Sequence, residues 1–411
     1  MRSRDGGIRD LSKWRISAML MLTGLALVAG SVLAQTQGDQ QQQQQPAQQN
    51  PKQPIKIDPA YSKVANQTGG QVYVIDRDKV NDLAKIMGMT SHANQEDLLV
   101  VNDKLEGQER SYEAAVDGDM ALLVVSITGT KDFEVHRPSG GAVGRTENVV
   151  QYVEVANGGI YQIQNPEPGK WTAVLRGSGE VSVRVNAVRA KESAGGGGGV
   201  QFDRFEFVEV GGRIGHEGMF QIQGFPLAGR EADVEADLDG EISNVHFEFR
   251  SPGGEVLNSF KLQKVPGDEQ EYSGKVMVPE APFLVYAVGV DMRGNRFQRL
   301  RSGQVNPQTF RVSAPRYWEL EGSEESACEV EVTNYGAAGS FRVTTVDPRR
   351  LLKEVAPQTF DLGANGSVKV KLTLQAPADP KVAGESLMVL VQRVNSEQNN
   401  FALIETTVVR K

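Results

Sequence analysis

From about Leu98 onward, apolar and polar positions alternate along the chain with period two. A strand sends successive side chains to opposite faces, so this pattern predicts half-buried antiparallel sheet. Leu122 to Ile127 reads as one strand. Phe133 and Val135 alternate with Glu134 and His136, and Pro138-Ser139-Gly140-Gly141 then turns the chain. Trp171, Ala173 and Leu175 share one phase, and Thr172, Val174 and Arg176 the other. Gly177-Ser178-Gly179 turns again, and Val181, Val183 and Val185 alternate with Ser182, Arg184 and Asn186. The most distinctive stretch is Asn165-Pro166-Glu167-Pro168-Gly169-Lys170-Trp171. Its prolines fix the backbone and deliver a tryptophan onto the apolar phase of the strand that follows.

A second strand-rich block runs from Phe202 to Val312. Val245, Phe247 and Phe249 alternate with His246, Glu248 and Arg250, and Ser251-Pro252-Gly253-Gly254 turns. This echoes Phe133 to Gly141: in both, a strand is delivered into a Pro/Gly turn. Phe283 to Val290 is a long apolar strand, turned back by Arg293-Gly294-Asn295. A third block fills Ala314 to Lys411. Cys328, Val330 and Val332 share a face, Phe341 and Val343 continue after Asn334-Tyr335-Gly336, and Ser386–Val394 and Phe401–Val409 complete the set. Phe360 and Leu362 lead into Gly363-Ala364-Asn365-Gly366, a hairpin signal before Val368, Val370, Leu372 and Leu374. Strands at this spacing predict sandwiches.

The chain ahead of Leu98 is different. Arg2, Arg4, Arg9, Lys13 and Arg15 precede an apolar run from Ile16 to Leu33, and Val32-Leu33-Ala34 supplies small-residue cleavage chemistry before Gln35. This predicts a signal peptide cleaved after Ala34; a retained anchor is the rival, but the run is short for a span of ~20 residues. Gln35 to Pro54 is glutamine-rich and predicts a disordered tether. Ala60 to Ala65 predicts a helix broken by Thr68-Gly69-Gly70, Gln71 to Ile75 a strand of the parallel-sheet kind, and Asp78 to Met87 a second helix capped by Asp76. Val80, Leu83, Ile86 and Met87 form its expected apolar stripe. One strand is not a sheet, so this unit must dock on a neighbour or a partner chain.

Composition narrows the classes. A length of 411 residues implies about two to four domains. A net charge of −8 argues against nucleic acid as partner. The single cysteine, Cys328, excludes an intrachain disulfide, which for an exported protein favours a bacterial periplasmic or surface location.

Candidate chemistry is thin. His92, His136, His216 and His246 lack zinc-ligand spacing, and His136 and His246 fall on the solvated phase of their strands. Asp237-Leu238-Asp239-Gly240-Glu241 resembles a short calcium loop but lacks the later acidic ligands, so a polar turn is preferred; Asp117-Gly118-Asp119 is weaker still. Gly195 to Gly199 reads as a linker, since no Lys-Ser or Lys-Thr follows to bind phosphate. Cys328 on an alternating strand reads as a buried small hydrophobe. Trp171, Trp318 and Tyr286 are candidate sugar-stacking platforms; Trp171 fits the core better, and Trp318 fits either role. No catalytic, cofactor-binding or metal-binding residue is assigned.

These residues carry a resemblance. Tyr61-Ser62-Lys63-Val64-Ala65-Asn66-Gln67-Thr68-Gly69-Gly70-Gln71-Val72-Tyr73 resembles the C-terminal end of a von Willebrand factor A domain. Phe133–Gly141 and Asn165–Val185 are similar to the galactose-binding-like sandwich that follows that domain in hemicentins. Phe202 to Val312, with Gly224-Phe225-Pro226 and Phe297-Gln298-Arg299, resembles the immunoglobulin-like domain next in line. The third block has a generic Ig-like look. The metal motif of an A domain, Asp-x-Ser-x-Ser, has no counterpart here, so no metal residue is carried over. The name "galactose-binding-like" denotes a fold and implies no sugar binding.

The expectation is a mainly β protein: tandem β-sandwiches, galactose-binding-like and Ig-like, with a small N-terminal α/β remnant. Its expected parts are a signal peptide (1–34), a Gln/Pro-rich disordered linker (35–57), an A-like remnant (58–96), a galactose-binding-like sandwich (97–190), a Gly-rich linker (191–201), an Ig-like sandwich (202–312) and a C-terminal Ig-like sandwich (313–411). The expected function is non-enzymatic adhesion or scaffolding at the cell envelope. Expected partners are other envelope or extracellular proteins, including a separate A-domain chain, with no nucleic acid and no membrane contact after signal cleavage. A carbohydrate-binding module, with a glycan as partner, is the rival; a hydrolase with an unrecognised carboxylate pair comes last.

Overall fold

The computed structural model describes residues 57–190, 199–213, 216–321, 324–375 and 384–409. The expected signal peptide, most of the Gln/Pro tether, Gly195 to Gly198 and the side chain of His216 lie outside the described residues.

Helix α1 (Pro59–Thr68) starts where Asp58 accepts a hydrogen bond from the Ala60 amide at 2.9 Å. It ends at Gly69, whose φ of +70° is the left-handed conformation that favours glycine. Gln71 to Ile75 takes no regular structure and joins no sheet, unlike the expected strand. Asn157 Oδ1 accepts from the Val74 amide at 3.0 Å and its Nδ2 donates to Val72 at 3.1 Å, while the Ala156 amide donates to the Val74 carbonyl at 2.8 Å. The expected helix from Asp78 to Met87 is instead a 3-10 segment over Arg77–Asp82 followed by α2 (Leu83–Thr90), and Asp76 makes no side-chain cap. The buried face is also displaced. Ile86 and Met89 are buried, whereas Val80 and Met87 are exposed.

The first sandwich comprises β1 (Gln95–Glu106), β2 (Arg110–Val116), β3 (Met120–Thr128), β4 (Phe133–His136), β5 (Val150–Val155), β6 (Gly158–Gln164), β7 (Gly169–Leu175) and β8 (Ser178–Arg189). One sheet runs β1-β8-β3-β6-β5 and the other β2-β7-β4, all antiparallel. Trp171 lies in the core between them, and its indole N–H donates to the Glu167 carbonyl at 2.9 Å. The Pro-rich turn thus both presents the tryptophan and satisfies its one polar atom. On the other side of the larger sheet, Val124, Val153, Val155 and Ile160 form a second apolar layer. Ile86 and Met89 of α2 cover it, with Tyr73 and Ile75 alongside. The N-terminal unit therefore docks within the same chain.

The second sandwich comprises β9 (Gln201–Arg213), β10 (His216–Gln221), β11 (Glu231–Asp239), β12 (Ile242–Arg250), β13 (Val256–Phe260), β14 (Gln263–Lys264), β15 (Glu271–Met277), β16 (Phe283–Asp291) and β17 (Arg296–Val305). Its sheets run β10-β9-β11-β15-β14 and β13-β12-β16-β17. Phe202, Phe205, Phe207, Phe247, Phe249, Phe260 and Phe283 interlock between them, the rings of Phe249 and Phe283 lying 4.4 Å apart. The two echoed turns share one geometry. Gly140 and Gly254 have φ of +95° and +92°, and their amides donate to Arg137 and Ser251 at 2.9 Å each.

The third sandwich comprises β18 (Phe310–Ser313), β19 (Tyr317–Glu321), β20 (Glu325–Asn334), β21 (Gly339–Val346), β22 (Leu352–Ala356), β23 (Thr359–Leu362), β24 (Ser367–Gln375), β25 (Gly384–Arg393) and β26 (Asn399–Val409). Its sheets run β18-β20-β24-β22 and β19-β26-β25-β21-β23, with β19 parallel to β26. The Gly363–Gly366 turn forms as its residues require, with Asn365 at φ +57°. It does not make the expected hairpin: β23 and β24 belong to opposite sheets, so the turn is a corner of the sandwich.

Candidate functional site: the junctions between sandwiches

Of the expected aromatic platforms, Trp171 and Tyr286 lie in cores and Trp318 stands at the edge of the third. Trp171 is buried. Trp318 is half-buried, its indole donating to Ser326 at 2.9 Å. Tyr286 is wholly buried, and its place explains the unbroken apolar run of β16. Phe283, Val285 and Ala287 point into the second sandwich, whereas Leu284 and Tyr286, with Leu300 of β17, enter the core of the first. A strand buried on both faces carries no alternation.

Tyr286 fastens this junction. Its hydroxyl donates to the Val100 carbonyl at 3.1 Å and accepts from the Val100 amide at 3.2 Å. Burial pushes that hydroxyl up to about 12. Beside it, Gln298 Nε2 donates to the Leu98 carbonyl at 2.6 Å. Arg299 has no exposed side-chain surface and pairs with Asp117. Its Nε donates to Val200 at 2.7 Å and its Nη1 to Gln298 at 2.9 Å. Arg189 pairs with Glu96 at 3.2 Å and donates to the carbonyls of Gly199 and Val200. Burial pulls the Arg189 guanidinium below its ordinary value, with Glu96 opposing. The described end of the glycine stretch is thus gripped by two arginines, and Val200 is buried.

Four of the carboxylates considered for calcium, Asp237, Asp239, Asp117 and Asp119, have other partners. Arg204 Nε donates to Asp237 at 2.7 Å, and the same guanidinium meets Glu206, Glu235 and Glu271. That hydrogen bond with Asp237 holds Arg204 well above its usual range. Asp239 accepts from the Gly240 amide and from Gln270. Asp117 faces Arg299, and Asp119 faces Arg293 at 2.7 Å. His136 and His246 pair with Glu134 and Glu248 at 3.0 and 2.9 Å, and His92 lies 3.0 Å from the Met89 carbonyl. Among the described residues no group of three His, Cys, Asp or Glu side chains could hold a metal. Cys328 is buried, which pushes its thiol up to about 11. Among the described residues no helix is long and apolar enough to cross a membrane.

The second junction uses Gly224-Phe225-Pro226. Asn400 of β26 accepts from the Phe225 amide and donates to the Phe310 carbonyl, each at 2.8 Å. A Cβ at Gly224 would lie 2.0 Å from Asn400 Oδ1, and its φ is +73°, so glycine is required there. Phe225 meets Phe401 edge-on at 5.7 Å. On the same junction a groove of about 450 Å³ opens between Gly211 and Gly212 of β9 and Arg316, Tyr317 and Glu319 at the start of the third sandwich. Arg316 donates to Glu209 at 3.2 Å and packs over the Phe220 ring at 5.5 Å.

Arg189, Glu96 and Asn400 were not singled out by sequence, and Asp117 stood there only as part of a weak acidic turn. The one signal was the arginine of Phe297-Gln298-Arg299, sitting directly after buried positions of a strand.

Residues 98–189 match the family model of the hemicentin galactose-binding domain-like fold, and residues 314–410 match the VWA7 Ig-like domain. The Ig-like match therefore falls on the third sandwich, where the sequence carried only a generic likeness. Hemicentin-1 of Mus musculus is 22% identical over 270 residues, 62% of this chain and 4% of its own length. Hemicentin-1 of Homo sapiens is 25% identical over 270 residues, again 62% of this chain and 4% of its own length. The match thus spans a small part of those relatives. A DUF4785 family protein of Legionella pneumophila aligns over 85% of this chain and 96% of its own at 10% identity and a TM-score of 0.33.

Proposed function

We propose that this chain is an exported, non-enzymatic scaffold that holds other envelope or extracellular proteins through the loops and edge strands of its sandwiches. The observation that carries this reading is the shared core of the first two sandwiches. Leu284, Tyr286 and Leu300 pack among Leu98, Val100 and Val101, and a fully buried Arg299–Asp117 pair locks the contact. Such a junction fixes the relative placement of two binding surfaces, which is what a scaffold needs. The matched module families are of the binding type, which supports the same reading. A separate von Willebrand A chain is one candidate partner. It would meet the N-terminal unit at exposed Val80 and Met87, because Ile86 and Met89 are already covered.

Cross-linking mass spectrometry with the exported chain on intact cells tests the proposal. The expected result is partner cross-links at sandwich loops and at α2. Turnover in a polysaccharide or peptide hydrolysis screen, or specific binding on a glycan array with no protein cross-links, would overturn it.

A further inference from the structure

We propose that the outer face of the third sandwich's larger sheet pairs with the same face of a second copy of this chain. The pairing does not depend on the scaffold reading. Phe341 and Val343 of β21, Leu387, Val389 and Val391 of β25, and Ala402 and Ile404 of β26 point into the core. Their neighbours along these adjacent strands therefore point out. That outward set is apolar where a solvated sheet face is ordinarily polar. The ladder sets Val346 beside Met388 and Met388 beside Leu403; the next row is Thr344, Leu390 and Phe401. Val346 is 50% and Leu403 42% exposed, and Met388, Leu390 and Phe401 are half-buried. Five apolar side chains thus adjoin on one outward face, the kind of patch that marks an interface. The second sandwich borders the patch without covering it: Phe225 meets Phe401 edge-on, and Gln223 donates to the Leu403 carbonyl at 2.9 Å.

Charge selects the occupant. One row beyond Thr344, Arg342 lies opposite Gln392; one row beyond Leu403, Glu405 lies opposite Ser386. Arg342 and Glu405 therefore stand at diagonal corners of the patch, and both are exposed. The remaining charges are peripheral. Glu319 and Glu321 lie on β19, one strand outside Glu405, and Arg316 is engaged by Glu209. Asp361, on β23, accepts from Ser340. Asp347, Arg349 and Arg350 follow the end of β21 on the way to β22 of the opposite sheet. A partner of one sign would meet a like charge at one corner or the other. A second copy avoids this. A two-fold axis running across the face from Val346 to Phe401 exchanges the corners, so Arg342 of each copy lies over Glu405 of the other and the apolar rows lie against each other. Three strands wide and about eight residues long, the face measures about 14 by 26 Å. That is below the roughly 800 Å² per partner of a standard interface, which places the pair among transient contacts.

Sedimentation velocity on the chain from residue 35 onward reads the pairing. The expected result is reversible self-association with a Kd between about 1 μM and 1 mM, weakened about tenfold or more in Leu403→Lys. Arg342→Glu and Glu405→Arg should each weaken it about tenfold at low salt. An equimolar mixture of these two variants should regain the wild-type strength, because each chain then meets its opposite charge at both corners. Recovery on mixing requires a reciprocal contact between two copies. A wild type that stays monomeric throughout that range, association indifferent to Leu403→Lys, or a mixture no stronger than the single variants would overturn the proposal. All three positions are exposed and outside every core, and thermal midpoints matching the wild type check that the variants fold. Failure here leaves the scaffold reading standing, because that is judged by cross-links to other proteins.

Discussion

At Tyr286 a single hydroxyl satisfies both backbone groups of Val100, one donating and one accepting. Tyr286→Phe keeps the ring and removes both bonds, leaving a buried N–H and C=O without partners. The expected cost is about 1–3 kcal/mol, read as a lowered urea midpoint. Arg299 offers a sharper case. Arg299→Met strands Asp117 in a dry site, with an expected loss of about 3–5 kcal/mol, and adding Asp117→Leu should recover much of it. Asp97 gives the pH test. Burial raises its carboxyl above the ordinary range, with Arg184 and Asn186 opposing. Between the ordinary and the raised value, the folded chain holds a proton that the unfolded chain has released. Stability therefore falls as pH rises through that window. Thermal midpoints of the wild type and of Asp97→Asn, followed from about pH 4 to pH 7, should show a shallower slope for the variant.

Elements were legible wherever one face met water. The ladders at Phe133, Trp171, Val181 and Phe247 could be read because their alternation reports a half-buried sheet. Legibility failed where tertiary contact replaced the local signal. β16 is apolar throughout because it serves two cores. Gln71 to Ile75 is held outside any sheet by Ala156 and Asn157, distant in sequence. α2 turns Ile86 and Met89 inward because the sheet beneath it presents Val124, Val153, Val155 and Ile160. That face could not be inferred from the helix alone. Ile86→Asp should release α2 from the sheet at a cost of ~2–3 kcal/mol. Amide exchange would then quicken over residues 83–90 while β3 and β6 stay protected. In the third sandwich, the buried, protonated Cys328 thiol should resist maleimide in the folded chain and react once that sandwich unfolds.

At the scale of the whole molecule, the chain is a series of sandwiches whose junctions are built as carefully as their cores. The glycine stretch between the first two suggests free movement when read as sequence. The structure instead grips its described end with Arg189 and Arg299 and buries Val200. Rigidity across this junction is what the scaffold proposal requires. It is measured most directly by electron–electron distance spectroscopy in a Cys328→Ser background, with spin labels on cysteines replacing exposed Glu113 of β2 and Lys275 of β15. A fused unit predicts a single narrow distance that broadens in Arg299→Met. A wild-type distribution spread over roughly 20 Å, the reach of a free glycine-rich linker, would contradict the account.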